Sequence, residues 1–255
     1  MPQPLGRPTY LAQNILDGAD PDLSARVETR TIQIVDIVAS DILSVFDHGG
    51  PIGISPGYSA AGELISLAIA DDKNCRIVEF SQAKNANRSN AKSSSTNKPA
   101  VVSARQKLQD YVLCRTAGDI FAFDMGTLAM SLYCDLGGLR ITNAVDIQSA
   151  FSAVDRKPLT AIKTALGSTG TIKITEENVT NVFFNPIYDF EDRNRTTDLA
   201  QRAWVSQYLV KSGNGAEMFV KVPRIDTRKL DAHVRYLGLR KYYFMLNMLY
   251  SSAWT

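Results

Sequence analysis

The sequence predicts an α/β fold: a mixed sheet with antiparallel front strands and a parallel remainder, flanked by helices on both faces. Two observations lead to this prediction. Before residue 81 the chain carries short apolar segments joined by tight turns, whereas after residue 104 helix-like and strand-like segments alternate. Hairpins produce antiparallel pairs, and strands separated by helices produce parallel ones.

The composition is that of an ordinary globular protein. Of the 255 residues, 45% are hydrophobic and 21% are charged, enough for one domain with a full core and a small appendage. The net charge of +2 means that any basic surface has to be local, and it argues against membrane binding. The three cysteines are scattered, the N-terminus does not resemble a signal peptide, and no apolar run reaches the ~20 residues needed to span a membrane. We therefore expect an intracellular protein, cytoplasmic or nuclear.

The front of the sheet is predicted from apolar segments and their connections. Residues 31–38 and 42–46 are β-branched and apolar enough for strands, although the first also suits a short helix. Residues 49–59 are rich in glycine and proline, which indicates a loop. Residues 63–70 and 76–80 follow, and their pattern predicts a β-hairpin.

A polar segment of low complexity interrupts this order. Residues 81–107 contain six basic residues and no acid. Such a segment buries too little apolar surface to fold by itself, so we predict a mobile basic loop over residues 81–103. Its side chains Lys84, Arg88 and Lys92 are predicted phosphate contacts, and a solvated loop explains the composition equally well.

Helices and strands alternate behind the loop. A helix near residues 104–112 precedes a strand that ends in Asp124, and a further helix leads to a second strand that ends in Asp146. Helical periodicity returns over residues 159–166 and 191–210. The pattern predicts the parallel part of the sheet.

Acidic residues stand at places where such sheets build their sites, beyond the carboxyl ends of strands. Asp124 ends one predicted strand, Asp47 ends another, and Asp198 lies in the long helix 191–210. Converging carboxylates bind Mg²⁺ or Mn²⁺, and a pair of such ions clamps the attacking and leaving oxygens in phosphoryl transfer. Asp47, Asp124 and Asp198 are therefore our candidate metal ligands and catalytic residues.

Each acid also has a purely structural explanation. Asp124 directly precedes a helix-forming segment and suits an N-cap. Asp146 fits a structural role, and Asp198 can pair with Arg202 one helical turn later. His48 neighbours Asp47, which suits a role in metal binding or acid–base chemistry. An exposed histidine in a loop is the structural alternative.

Residues 41–210 resemble a DEDD-type 3'–5' exonuclease domain, a branch of the RNase H-like superfamily. The matching parts are Gly62–Phe80, the strand end at Asp124, the segment Asp146-Ile147-Gln148, the helix Lys157–Leu166 and the last helix with Asp198. The resemblance implies an RNase H-like sheet, a metal site at the three aspartates, and cleavage of RNA or single-stranded DNA by metal-bound water.

Two positions depart from the family pattern. The family's first strand ends in Asp-x-Glu, whereas the matching residues are Asp47-His48-Gly49. The family's last helix carries a Tyr four or a His five residues before its Asp, whereas Asn194 and Arg193 stand there. Loss of an acid and of the general base weakens two-metal catalysis. Two functions remain: a 3'–5' exonuclease, or a catalytically degenerate module that binds RNA or a protein.

The chain divides into a lead-in over residues 1–38, an exonuclease-like domain over 39–212 and a helical extension over 213–255. The extension is basic and aromatic, a combination that holds single-stranded nucleic acid, although its tyrosines also suit a helix core. Its predicted nucleic-acid contacts are Arg228, Lys229, Arg235, Tyr236, Arg240 and Lys241. We expect RNA or single-stranded DNA as the ligand, with a protein partner or a homodimer as the alternative.

Overall fold

Nine short strands are present in the described part of the chain. The computed structural model describes residues 9–11, 15–17, 27–39, 41–80, 98–150, 157–167, 173–184, 186–211 and 214–229. The strands are β1 (Thr9–Tyr10), β2 (Leu16–Asp17), β3 (Glu28–Gln33), β4 (Ile52–Tyr58), β5 (Leu64–Ala70), β6 (Asn74–Glu79), β7 (Ile120–Ala122), β8 (Ala144–Asp146) and β9 (Lys173–Ile174).

Helices alternate with the later strands. The α-helices are α1 (Lys98–Leu108), α2 (Met125–Asp135), α3 (Pro158–Leu166), α4 (Glu176–Phe184), α5 (Arg193–Lys211) and α6 (Gly215–Val220). A π-helical turn, Gln109–Leu113, continues α1, and 3-10 turns cover Ile34–Ala39, Ser44–Phe46, Ile147–Ala150 and Thr227–Lys229. No helix in the described residues combines the length and the apolar character needed to cross a bilayer.

Seven of the strands form one mixed sheet in the order β1-β3-β6-β5-β4-β7-β8, and β2 pairs with β9 separately. The front strands β4, β5 and β6 form antiparallel pairs, β4 with β5 and β5 with β6, whereas β7 and β8 run parallel to β4. Helices pack on both faces, where the buried apolar residues form two separate clusters. This confirms the predicted fold class.

The sheet extends further towards the N-terminus than expected. Strand β3 lies within the lead-in predicted over residues 1–38, yet it pairs in parallel with β6. The predicted hairpin is confirmed as β5 and β6. The helix expected near residues 104–112 begins at Lys98 instead, so residues 98–103 are helical and not part of a loop. The rest of that loop, including Lys84, Arg88 and Lys92, lies outside the described residues.

Two predictions at the front of the sheet were wrong. Residues 42–46, predicted as a strand, form a turn and the 3-10 turn Ser44–Phe46. Residues 49–59, predicted as a loop, contain the central strand β4. A side chain at Gly53 would meet the carbonyl oxygen of Ala203 at 1.9 Å, so glycine there is required for α5 to pack closely on β4. Glycine in this segment therefore reflects close packing and not a turn.

Candidate functional site

Asp124 and Asp146 lie at the carboxyl ends of neighbouring strands, as predicted. Ala122 of β7 is paired with Asp146 of β8, and Asp124 follows two residues later. Asp146 Oδ1 accepts a hydrogen bond from the backbone N–H of Met125 at 3.3 Å, and its Oδ2 accepts from Ser149 Oγ at 2.5 Å. Asp146 therefore caps the first turn of α2, a structural role.

Asp124 itself does not cap the helix with its carboxylate. Its backbone is left-handed, with φ 52° and ψ 48°, and its side chain makes no capping hydrogen bond. Thr127 Oγ1 donates to Asp124 Oδ1 at 2.9 Å, and the backbone N–H of Asp124 donates to Gln148 Oε1 at 2.8 Å. A residue other than glycine with positive φ is uncommon and indicates a position held by its surroundings.

Asp198 approaches the same edge of the sheet from α5. This helix runs against the direction of β4, since Ala203 contacts Gly53 whereas Lys211 pairs with Asp72 beyond the far end of β5. Asp198 forms an ion pair with Arg195 at 3.9 Å. Burial raises the pKa of Asp198 above its usual value, and the positive charges of Arg202 and Arg195 oppose this rise.

Asp47 lies at the opposite edge. In the parallel pair β4–β7, Ile52 is level with Ile120. Asp47 precedes Ile52 by five residues and Asp124 follows Ile120 by four, so the two aspartates flank opposite ends of the strand pair. The predicted convergence of Asp47 with Asp124 and Asp198 is therefore wrong, because residues 42–46 are not the strand that leads into the site.

Asp47 belongs to a different group of charges. The guanidinium of Arg115 is buried there and donates to the backbone oxygen of His48, whose Nε2 lies 3.2 Å from Asp71 Oδ2. Burial lowers the pKa of Arg115, and the carboxylates of Asp47, Asp71 and Asp119 oppose this. This cluster holds the chain between Phe46 and β4 in place, which is a structural role.

A buried arginine lies between β4 and α5, one helical turn after Asp198. Arg202 of α5 is 6% exposed. Its Nε donates to Ser55 Oγ at 3.1 Å, its Nη1 to the backbone oxygen of Val182 at 2.7 Å, and its Nη2 to the backbone oxygen of Pro56 at 3.4 Å. Continuing the β4–β7 register by two to three residues brings Ser55 and Pro56 level with Phe123 and Asp124.

Burial lowers the pKa of Arg202 to about 10, and the nearby carboxylate of Asp198 opposes this. The guanidinium therefore remains positively charged at neutral pH. Because its donors are matched by a hydroxyl and two backbone oxygens, the charge is tolerated in a buried position.

A tyrosine fills the next part of the site. A side chain at Gly57 would meet Ser66 Oγ at 2.1 Å and the Cβ of Tyr188 at 2.7 Å. The Tyr188 hydroxyl donates to Glu79 Oε1 at 2.6 Å, and Gln33 Nε2 donates to the other oxygen of that carboxylate. Burial raises the pKa of Glu79, and the hydrogen bonds from Tyr188 and Gln33 oppose the rise. The space beside Gly57 is thus closed by a ring with a satisfied hydroxyl.

Reasoning from the sequence missed Ser55 and Gly57, and it considered Arg202 only as an ion-pair partner of Asp198 on the surface of a helix and Tyr188 only for its spacing from Asp192. The resemblance assigned the family's Asp-x-Glu pair to residues 47–49, but the strand directly before the hairpin β5–β6 is β4, and β4 contains no acidic residue. The available signal was the position of this segment immediately before the hairpin. The glycines and proline of this segment instead led to the prediction of a loop.

The residues at this edge do not fit a divalent metal site. Asp124 and Asp198 remain as carboxylates, but Asp47 is at the other edge and the buried guanidinium of Arg202 lies between β4 and α5. Within the described ranges, no group of three or more His, Cys, Asp or Glu side chains is arranged to hold a metal ion. Mg²⁺ requires several oxygen ligands, and a fixed cation nearby opposes its binding.

The predicted nucleic-acid contacts are only partly described. Arg228 and Lys229 are exposed residues of the 3-10 turn Thr227–Lys229, and Arg228 pairs with Asp226 at 3.0 Å. The predicted contacts that lie outside the described residues are Lys84, Arg88, Lys92, Arg235, Tyr236, Arg240 and Lys241.

Comparisons with known proteins find a likeness in structure. No protein-family model matches the chain, and no curated protein matches it in sequence. Among solved structures, the EXO domain of Nibbler from Aedes aegypti is similar, with a TM-score of 0.48 and 11% sequence identity. The match covers 76% of this chain and 94% of that chain. A likeness this distant says nothing about activity.

Proposed function

We propose that this protein is a catalytically inactive module with an exonuclease-like fold, which binds RNA or single-stranded DNA without cleaving it. The observation that carries the proposal is the buried Arg202 guanidinium, bonded to Ser55 Oγ where β4 passes the level of Asp124. The proposal therefore requires neither Mg²⁺ nor Mn²⁺ at this edge of the sheet.

The physical reason is charge. Near a protein surface, two unit charges of like sign about 4 Å apart repel by about 4 kcal/mol, and a divalent ion doubles that cost. Arg202 stays protonated at neutral pH, so the repulsion is permanent. Without Asp47 nearby, two of the three candidate ligands, Asp124 and Asp198, are left to offset this repulsion. Phosphodiester hydrolysis by two metal ions has no support from this set of residues.

Binding is supported by the basic surface away from this edge. Arg228 and Lys229 are exposed, and the sequence that follows them carries three further basic residues in the next twelve positions, Arg235, Arg240 and Lys241. Binding of this kind depends on contacts with phosphates and weakens steeply as salt rises.

A nuclease assay and a binding assay together test the proposal. A single-stranded oligonucleotide labelled at its 5' end would be incubated with the full chain and Mg²⁺ or Mn²⁺, and then titrated at several salt concentrations without metal. We expect binding with a steep salt dependence and no shortening. Shortening that Asp124→Asn abolishes would overturn the assignment as inactive. Absence of any binding would overturn the assignment to nucleic acid and favour a protein adaptor.

A further inference from the structure

We infer that the nucleic acid contacts a surface at the C-terminal end of α2, around the turn Gly137–Gly138. Asp124 lies at the other, N-terminal end of this helix. This inference rests on the proposed function and names where that function takes place. The side chains that form this surface, called the turn surface below, are Arg105, Tyr133, Arg140, Arg228 and Lys229.

A stacked arginine is at its centre. The guanidinium carbon of Arg140 lies 4.5 Å from the centre of the Tyr133 ring. The backbone N–H of Gly138 donates to the Tyr133 carbonyl oxygen at 2.9 Å, and Gly138 has φ +89°, a conformation that favours glycine. The turn therefore holds the backbone of Tyr133, and the Tyr133 ring supports the Arg140 guanidinium by a cation–π contact.

A second arginine reaches the same turn from α1. A Cβ at Gly137 would lie 3.2 Å from Arg105 Nη1, so the guanidinium rests directly on the backbone of the turn. Among the described residues, neither Arg105 nor Arg140 forms an ion pair with a carboxylate. Both side chains are partly exposed, and Arg105 Nε is buried without a hydrogen-bond partner in the described part of the chain. Because no carboxylate of the described residues neutralises these two charges, they favour an anion beside them.

The third side of the turn surface comes from Thr227–Lys229. Arg140 Nη1 donates to the Thr227 carbonyl oxygen at 2.8 Å, and the backbone N–H of Ile141 donates to Thr227 Oγ1 at 2.9 Å. These bonds dock Arg228 and Lys229 beside Arg140. Asp226 offsets part of the Arg228 charge, since its carboxylate accepts from both Nε and Nη2.

The charge distribution distinguishes this surface from the Asp124 edge. Asp124 and Asp146 lie at that edge, and acids repel phosphates where no metal ion bridges them. The turn surface instead combines an aromatic ring with the guanidinium groups of Arg105 and Arg140, which form no ion pair with a carboxylate among the described residues. Guanidinium groups and aromatic rings are the pairing that holds phosphates and bases of single strands. The ligand class that fits is therefore single-stranded nucleic acid.

Fluorescence anisotropy with a labelled single-stranded oligonucleotide tests this. We expect Arg105→Gln with Arg140→Gln to weaken binding at least tenfold, and to make the dependence of log K on log salt shallower by about 0.7 for each phosphate that the variant no longer neutralises. Arg228→Gln, an exposed change that leaves the Arg140 bonds intact, is expected to weaken binding by a smaller factor. The matched control is Arg193→Gln with Arg195→Gln on α5, which should bind as the unaltered chain does.

The outcomes separate this inference from the proposed function. If the unaltered chain binds but the turn-surface variants bind equally well, or if the α5 control weakens binding as much, the inference fails while the proposed function stands. If the unaltered chain does not bind, the proposed function itself fails. If polyglutamate displaces the oligonucleotide at equal charge concentration and binds more tightly, the turn surface belongs to an acidic protein partner and the inference is overturned. Unfolding curves of each variant verify that the fold is retained.

Discussion

Arg202 Nε donates to Ser55 Oγ over 3.1 Å and thereby joins the middle of α5 to the central strand of the sheet. The same guanidinium also binds the carbonyl oxygens of Val182 and Pro56. One buried cation thus connects α5, the end of α4 and β4. It stabilises the place where these elements meet, and its charge opposes a metal ion there.

Arg202→Met tests the structural part of this role. Methionine fills much of the space but leaves the Val182 and Pro56 oxygens without these donors. We expect the free energy of unfolding to fall by about 2–4 kcal/mol, because buried acceptors without partners are costly. Urea denaturation followed by circular dichroism measures the change.

Arg195→Met is the matched control on the same helix. Arg195 is partly exposed and its ion pairs with Asp192 and Asp198 are both 3.9 Å long. Exposed pairs of this kind contribute less than about 1 kcal/mol. Equal losses for the two variants would contradict the importance of burial at Arg202.

Gly57→Ala tests whether the space beside β4 is closed. Its Cβ would lie 2.1 Å from Ser66 Oγ and 2.7 Å from the Tyr188 Cβ. We expect a loss of about 1–3 kcal/mol in unfolding free energy from overpacking. Gly126→Ala is the comparison, since a Cβ there meets nothing within 4 Å and alanine favours helices. If Gly57→Ala is as stable as the unaltered protein, the Tyr188 side chain moves aside at little cost. The space beside β4 then has room for an acidic side chain at position 57.

The pH dependence of stability reports on Asp198. Because burial raises its folded-state pKa above 3.8, the folded chain holds this proton more tightly than the unfolded chain does. The resulting stabilisation is complete below pH 3.8 and is lost as the pH rises through the folded-state pKa. Asp198→Asn removes this loss, so the variant should gain stability relative to the unaltered chain between about pH 3 and pH 7. Parallel stability profiles for the two proteins would rule out this effect of burial.

The two acids at the ends of β7 and β8 should respond differently to substitution. Asp146→Ala removes the acceptor for the Met125 N–H and should lower the unfolding free energy by about 1 kcal/mol. Asp124→Asn should leave it nearly unchanged, because asparagine tolerates a φ of 52° and its Oδ1 still accepts from Thr127. Thermal unfolding distinguishes the two. A larger loss for Asp124→Asn would mean that the Asp124 charge has a structural role.

Parts of the fold with a local sequence pattern were predicted correctly. The hairpin β5–β6 and the segment from β7 through α2 to β8 have clear apolar runs or helical periodicity, and both lie close to their predicted positions. Asp124 and Asp146 were consequently expected at neighbouring strand ends, which the pairing of β7 with β8 confirms. Periodicity acts over a few residues, so the sequence alone was sufficient for these elements.

The central strand and the site around it were determined only by tertiary contacts. β4 contains two glycines and a proline, and nothing local shows that Gly53 contacts α5 or that Gly57 makes room for Tyr188. Arg202 resembled an exposed helix residue, yet packing buries it against Ser55. The sequence by itself determined a mixed α/β sheet with acids at two strand ends. Contacts between residues far apart in the chain decided that a guanidinium, and not a set of carboxylates, lies beside β4. The physical reason is that burial and hydrogen bonding depend on which distant segments meet.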